Sequence, residues 1–167
     1  FQPDYVFHLA AQALVSESFK NPINTFTTNS IGSINLLESM RNANYKCNLI
    51  MITSDKVYEN VEWVFGYREN DTLGGYDPYS ASKAAAEIAV NSWRLCFSNQ
   101  KIKTKPNLYI ATARSGNVIG GGDWAVNRII PDAIRSIMAK NDLIIRNPNS
   151  TRPWQHVLEP LSLFISE

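Results

Sequence analysis

The chain is poor in metal-ligating residues, with two cysteines and two histidines among 167 residues. Cys47 and Cys96 lie far apart with no ligand spacing, and His8 and His156 have no acidic partners at a useful distance in sequence, so no metal centre is expected. Both cysteines read instead as small apolar packing residues. No apolar run approaches the length of a membrane span, and the opening FQPDYVFHLAAQ lacks the charged start and long apolar centre of a signal peptide. The expectation is a soluble, cytoplasmic protein. There is also no basic block: net charge is +1 with scattered lysines and arginines, which argues against a surface built for nucleic acid. Neither a GxGxxG turn nor a Walker sequence occurs; the glycine-rich stretch Ser115 to Trp124 lacks the phosphate-loop lysine.

What is present is a hydrophobic content of 44 %, enough for a buried core. Three short runs, Tyr5 to Ala10, Asn48 to Thr53 and Leu108 to Ala113, are almost continuously apolar. Such runs predict strands buried on both faces in a parallel sheet. Between the first two, Ile23 to Ala43 carries Ile31, Ile34 and Leu37 at helical spacing; between the second and third comes a helix announced by Asp77-Pro78. The alternation predicts a doubly wound, Rossmann-type α/β fold with helices on both faces of the sheet. Glu59 to Asp77 reads as a long functional loop, Pro131 as the start of a helix, Leu143 to Arg146 as a short strand, and Pro160 to Glu167 as a final helical segment. The chain enters a strand almost at once and ends within a helical pattern, so it is expected to be the middle of a longer protein whose glycine-rich turn lies elsewhere.

In a sheet of this kind ligands gather beyond the carboxyl ends of the strands. Those ends hold His8 to Gln12, then Thr53-Ser54-Asp55-Lys56, then Arg114 to Asn117. Tyr79 and Lys83 stand four apart at the start of the second helix, one turn apart on one face. A phenol beside a fixed positive charge has its phenolate favoured and can act as a base near neutral pH. Ser54, Asp55 and Lys56 add a hydroxyl, an acid and a second amine.

The blocks HLAAQ, TTNSIGSINLLE, YSASK and RSGN resemble the extended short-chain dehydrogenase/reductase superfamily. Longer blocks, TSDKVYEN, GYRENDTLGGYDPYSASKAAAE, RSGNVIGGGDWA and RPWQHVLEPL, are similar to its nucleotide-sugar 4,6-dehydratases. Members acting on dTDP-glucose carry glutamate after the acidic aspartate, whereas Lys56 follows Asp55 here, as in members acting on CDP-glucose. The resemblance implies NAD as cofactor, CDP-glucose as substrate and a homodimer paired through two long helices per subunit, one of them the Tyr79 helix. It implies that residues 1–117 are part of the NAD-binding domain and 118–167 an incomplete substrate-binding region. Tyr79 would take the proton from the sugar 4-hydroxyl, assisted by Lys83 and Ser54. Lys56, as a neutral amine, would remove the C5 proton, and Asp55 would protonate the departing 6-hydroxyl. His8, Ala10, Ala11, Gln12, Asn29 and Thr53 would join Tyr79 and Lys83 on the cofactor side, and Asn117, Arg128 and Arg152 would bind the substrate.

Two other readings stay open. A nucleotide-sugar 4-epimerase shares the tyrosine and lysine but keeps the C6 oxygen, and Asp55-Lys56 argues against it. A nucleotide-sugar binding module without catalysis is the second, and the intact Ser54, Asp55, Lys56, Tyr79 and Lys83 set speaks against that.

Overall fold

A computed structural model describes residues 1–43, 45–98 and 108–166. They divide into two compact units, Phe1–Ser115 with Ser166, and Gly116–Ile165.

The first unit is built on three parallel strands in the order β1 (Tyr5–His8), β2 (Cys47–Ile52) and β3 (Leu108–Ala113). β2 is central, and along it Cys47, Leu49 and Met51 point to one face, as the two-residue period of a strand requires. There they meet Leu37 and Met40 from α3 (Gly32–Asn42) and Val90 from α4 (Pro78–Phe97), closing a core with Leu108 and Ile110. Burying Leu37, Leu49 or Met51 contributes about 1.5–3 kcal/mol each. The expected burial of all three strands on both faces holds for β2 alone. Tyr5, at 59 %, and Phe7, at 39 %, remain exposed because β1 is paired on one side only among the described residues. β1 also ends at His8, so Ala10 and Ala11 belong to the loop beyond it.

The stretch expected as one helix from Ile23 is a continuous run in three parts, preceded by α1 (Val15–Lys20) and set off from it at Asn21. α2 (Pro22–Phe26) leads into a wide π turn, Thr27–Ile31, which passes into α3. α4 starts where Asp77 caps it, accepting from the Ser80 backbone N–H at 3.0 Å and from the Ser80 hydroxyl at 2.7 Å. Pro78 occupies the first turn, where a missing N–H costs nothing, and the alanines of the second and third turns favour helix. Seven residues of α4 are buried, and of these Lys83, Ala86, Glu87 and Val90 follow the helical repeat along one face, with Ser80, Ser82 and Ala84 buried beside them in the first turns. Cys96 falls off that repeat and is exposed, contrary to the packing role expected of it; Cys47 is buried as expected.

In the second unit β4 (Asn117–Ile119) pairs in parallel with β5 (Trp154–His156), accompanied by α5 (Ile129–Ala139) and α6 (Leu158–Ser166). Gly116 is required here, since a Cβ would lie 2.5 Å from Pro153 Cγ. α5 starts two residues before Pro131, which sits in the first turn where no N–H is needed. The strand expected over Leu143 to Arg146 does not form. Arg146 instead wraps Asn127, donating to its side-chain oxygen at 3.1 Å and its carbonyl at 3.0 Å, and no strand among the described residues offers it a ladder. Among the described residues no helix is long and apolar enough to cross a membrane, and no cluster of three or more potential metal ligands forms.

Candidate active site

The chain leaves β2 in extended conformation at Ser54 and turns at once into a short 3₁₀ helix, Asp55–Val57. Ser54 caps it: its Oγ accepts from the Lys56 N–H at 3.2 Å and donates to Asp55 Oδ1 at 3.1 Å. The Asp55 N–H donates to the Ser115 carbonyl at 3.0 Å, and the Thr53 N–H to the Ala113 carbonyl at 2.9 Å. The hydroxyl, acid and amine expected at this strand end are thus held on one turn, anchored to the end of β3. This turn packs against α4.

On α4, Tyr79 and Lys83 lie one turn apart. Lys83 is only 7 % exposed, and its Nζ donates to the Ile52 carbonyl at 3.4 Å. Burial draws its pKa below the ordinary lysine value, while the negative charge of Glu87 pulls the other way. An ammonium has three N–H groups, and among the described residues Lys83 Nζ makes this one long bond, which leaves donors for hydroxyls of a ligand.

The π turn braces this part of α4 from the other side. Asn29, 2 % exposed, donates to the Gln12 carbonyl at 3.1 Å and to Ser82 Oγ at 2.9 Å, and accepts from the Gln12 N–H at 2.8 Å. Ser30 Oγ donates to the Ser82 carbonyl at 2.8 Å, and Ser82 Oγ to the Tyr79 carbonyl at 2.7 Å. The Gln12 side chain donates to Thr25 Oγ1 at 2.9 Å and to the Leu14 carbonyl at 3.1 Å. The amides of Asn29 and Gln12 are therefore occupied in shaping the loop after β1, and that loop carries Ala10 and Ala11 on its backbone. His8, at the end of β1, has its Nε2 at 3.3 Å from Ser33 Oγ. Burial, and then the Lys83 charge, hold its imidazole below the ordinary pKa and so neutral near pH 7.

Sequence reasoning passed over Glu87. It is 4 % exposed, one turn beyond Lys83, and forms a two-pronged ion pair with Arg114 at the end of β3, Nε to Oε1 at 2.8 Å and Nη2 to Oε2 at 2.9 Å. The Thr53 hydroxyl donates to the same Oε1. The signal was an acid continuing the Tyr79, Lys83 spacing on an otherwise apolar, alanine-rich face. Burial alone would raise the Glu87 pKa, but the hydrogen bonds from Arg114 and Thr53 outweigh it and keep the carboxylate below its ordinary value.

In the second unit Asn117 opens β4 opposite Trp154. Arg128 pairs with Asp123 at 3.0 Å, and Arg152 is exposed, with Nη1 donating to the Thr151 carbonyl at 3.2 Å.

A family model described as GDP-mannose 4,6 dehydratase matches residues 1–165. A CDP-glucose 4,6-dehydratase from Salmonella typhimurium is 52 % identical over 165 residues, covering 99 % of this chain and 46 % of the relative. A CDP-paratose 2-epimerase from Salmonella typhi is 37 % identical over 99 % of this chain and 53 % of its own length. The chain therefore spans about half the length of these relatives. Among solved structures, a UDP-N-acetylglucosamine 4-epimerase from Methanobrevibacter ruminantium superposes with a TM-score of 0.80 at 28 % identity, covering 97 % of this chain and 50 % of that one. A dTDP-glucose 4,6-dehydratase from Streptomyces venezuelae, solved with NAD bound, superposes with a TM-score of 0.81 at 20 % identity, covering 97 % and 47 %.

Proposed function

The chain belongs to the GDP-mannose 4,6 dehydratase family, and from that premise we propose that its parent protein is an NAD-dependent dehydratase converting CDP-glucose to CDP-4-dehydro-6-deoxy-glucose. The observation that carries this reading is one turn at the end of β2 holding a hydroxyl, an acid and an amine, packed against the helix that carries Tyr79 and Lys83. Lys56 after Asp55 and the 52 % identity to a CDP-glucose enzyme support that substrate over other nucleotide sugars.

The residues fit NAD. A nearly buried ammonium with donors to spare suits a ribose diol, and the loop after β1, fixed by Asn29 and Gln12, offers backbone at the strand ends where such a cofactor lies. When bound beside Lys83 and the loop after β1, NAD would supply reversible hydride transfer, out of C4 of the sugar and back to C6. Tyr79, with its phenolate favoured by the Lys83 charge, takes the proton from the 4-hydroxyl, and Ser54 donates a hydrogen bond to the same oxygen. The resulting ketone acidifies the C5 hydrogen, which Lys56 removes. Asp55 delivers a proton to the departing 6-hydroxyl, and water leaves. Lys56 gives a proton back to C5 as the hydride reaches C6, and the proton taken up by Tyr79 makes good the one that Asp55 gave up, so the net change is the loss of one water from the sugar. In this reading His8, Ala10, Ala11, Gln12, Asn29 and Thr53 form the cofactor side, Asn29 and Gln12 acting by holding the loop. Asn117, Arg128 and Arg152 donate to the substrate's diphosphate, for which guanidinium groups are suited.

The proposal extends to a cytoplasmic homodimer that makes a deoxysugar precursor for O-antigen. Exposed apolar residues on the helices, Ile88 and Leu95 on α4 and Ile23 on α2, support pairing through this layer. The deciding experiment incubates the parent protein with CDP-glucose and NAD and weighs the sugar nucleotide. Loss of one water, absent with Tyr79→Phe, supports the dehydratase; unchanged mass with inverted C4 replaces it by an epimerase. Binding without any conversion replaces it by a non-catalytic module.

A further inference from the structure

Glu87 has no part in the proton and hydride transfers of the proposed dehydration, yet its carboxylate is the hub of the strand-end cluster. A buried ion pair is a poor device for stability alone, because desolvation offsets its Coulomb gain and a well-packed apolar pair serves as well or better. This pair also joins every element that carries a catalytic candidate. Glu87 lies one turn beyond Lys83 on α4. Through Oε1 it receives the hydroxyl of Thr53, the residue before the Ser54 cap. Its partner Arg114 donates further to the Tyr58 hydroxyl at 2.9 Å and the Glu69 carbonyl at 3.1 Å, and its guanidinium lies 4.8 Å from the centre of the Tyr58 ring. Tyr58 directly follows the short helix of Asp55 and Lys56. Displacing Glu87 therefore removes the Thr53 and Arg114 ties between the two ends of this turn and the helix that bears Tyr79, while the packing of the turn on α4 remains.

We propose that Glu87 is a positioning residue for the dehydration: one turn beyond Lys83, it ties the Ser54–Lys56 turn to α4 through Thr53 and Arg114. The inference rests on the dehydratase reading. The charged and titratable groups around Lys83 are His8 at the end of β1, Tyr79 and Glu87 on α4, Asp55 and Lys56 on the turn packed against α4, and Arg114 at the end of β3. Of these, Glu87 is the one whose charge raises the Lys83 pKa against its burial. Neutralising it also leaves Arg114 unbalanced, which acts in the same direction.

The test uses the parent protein with three variants and two readouts. Glu87→Gln keeps the shape, Glu87→Asp keeps the charge, and Thr53→Val keeps the charge while removing the tie. The first readout is the kcat/KM profile against pH for loss of water from CDP-glucose. The second is the titration of the Lys83 side chain, followed by NMR with carbon-13-labelled lysine and assigned with Lys83→Arg, which needs no substrate. With Glu87→Gln, both the Lys83 midpoint and the alkaline limb should fall by about one pH unit or more, and kcat should drop about tenfold or more. Glu87→Asp should restore the limb. Thr53→Val should lower kcat with the limb unmoved. Lower melting temperatures with an unmoved Lys83 midpoint and an unmoved limb would reduce Glu87 to a structural residue and overturn the proposal. If the unsubstituted protein releases no water from CDP-glucose, the dehydratase reading fails by itself, while the Lys83 titration still reports on Glu87.

Discussion

Tyr79→Phe removes one oxygen from a helix start that Asp77 caps through Ser80, so the folded protein should persist while turnover falls by about 10²–10⁴-fold. Equilibrium binding of CDP-glucose, measured beside the mass assay, should change little; a variant that still loses water at the normal rate would remove the phenol from the mechanism. His8 bears on stability instead. Its folded pKa is depressed below 6.5 by burial and by Lys83, so between that lowered value and 6.5 the unfolded chain holds a proton that the folded chain does not. Stability should decline as pH falls through this window. His8→Gln should flatten the decline, as read by urea titrations at about pH 7 and about pH 5.5; an unchanged slope would mean that His8 is not the group responsible. Tyr79, Lys83 and the Ser54, Asp55, Lys56 run were visible in the sequence because their spacing is local. Glu87 was not, since its meaning comes from Thr53 and Arg114, which are brought to it from 34 and 27 residues away.

α4 draws its position from its first turn. Asp77 accepts two hydrogen bonds from Ser80, and Asp77→Ala should cost about 0.5–2 kcal/mol. The loss would show in urea unfolding, with a larger fractional fall in kcat than in folded population, because Tyr79 sits in the turn that frays. Gly75 presses against the same turn: a Cβ there would lie 2.2 Å from the Ala81 nitrogen. Gly75→Ala should therefore push the 59–77 loop off α4, raising KM and the rate of proteolysis within the loop; unchanged cleavage would argue that the loop tolerates the shift. The capped start of this helix was readable from Asp77-Pro78, and the third strand was readable residue for residue. The π turn of Thr27–Ile31 was not, because its residues have ordinary helical preferences and the extra width serves contacts of Asn29 and Ser30 with Ser82. The strand over Leu143 to Arg146 was misread because an apolar run satisfies the strand pattern whether or not a partner strand lies beside it.

At the scale of the whole molecule, the proposed homodimer predicts that a charge on the outward face of α4 separates the subunits. Ile88, 60 % exposed, and Leu95, 53 % exposed, lie two turns apart on that face. Ile88→Glu with Leu95→Glu in the parent protein should halve the mass seen by sedimentation while leaving the circular dichroism of the fold in place; an unaltered dimer would move the interface elsewhere. The sequence by itself determined the alternation of strands and helices, the parallel sheet and the gathering of chemistry at the strand ends, because hydrophobic period, caps and breakers act over a few residues and survive without context. It also determined that Tyr79 and Lys83 share one helix face, since residues four apart on a helix are neighbours in any fold. Only the tertiary structure decided which side chains of that set are spent on the protein and which are left for a ligand. Asn29 and Gln12 were drawn into bracing a loop, Glu87 was paired with Arg114, and Lys83 kept donors to spare. Those outcomes depend on partners distant in sequence and on desolvation, and both come into being when the sheet assembles and the helices close over it.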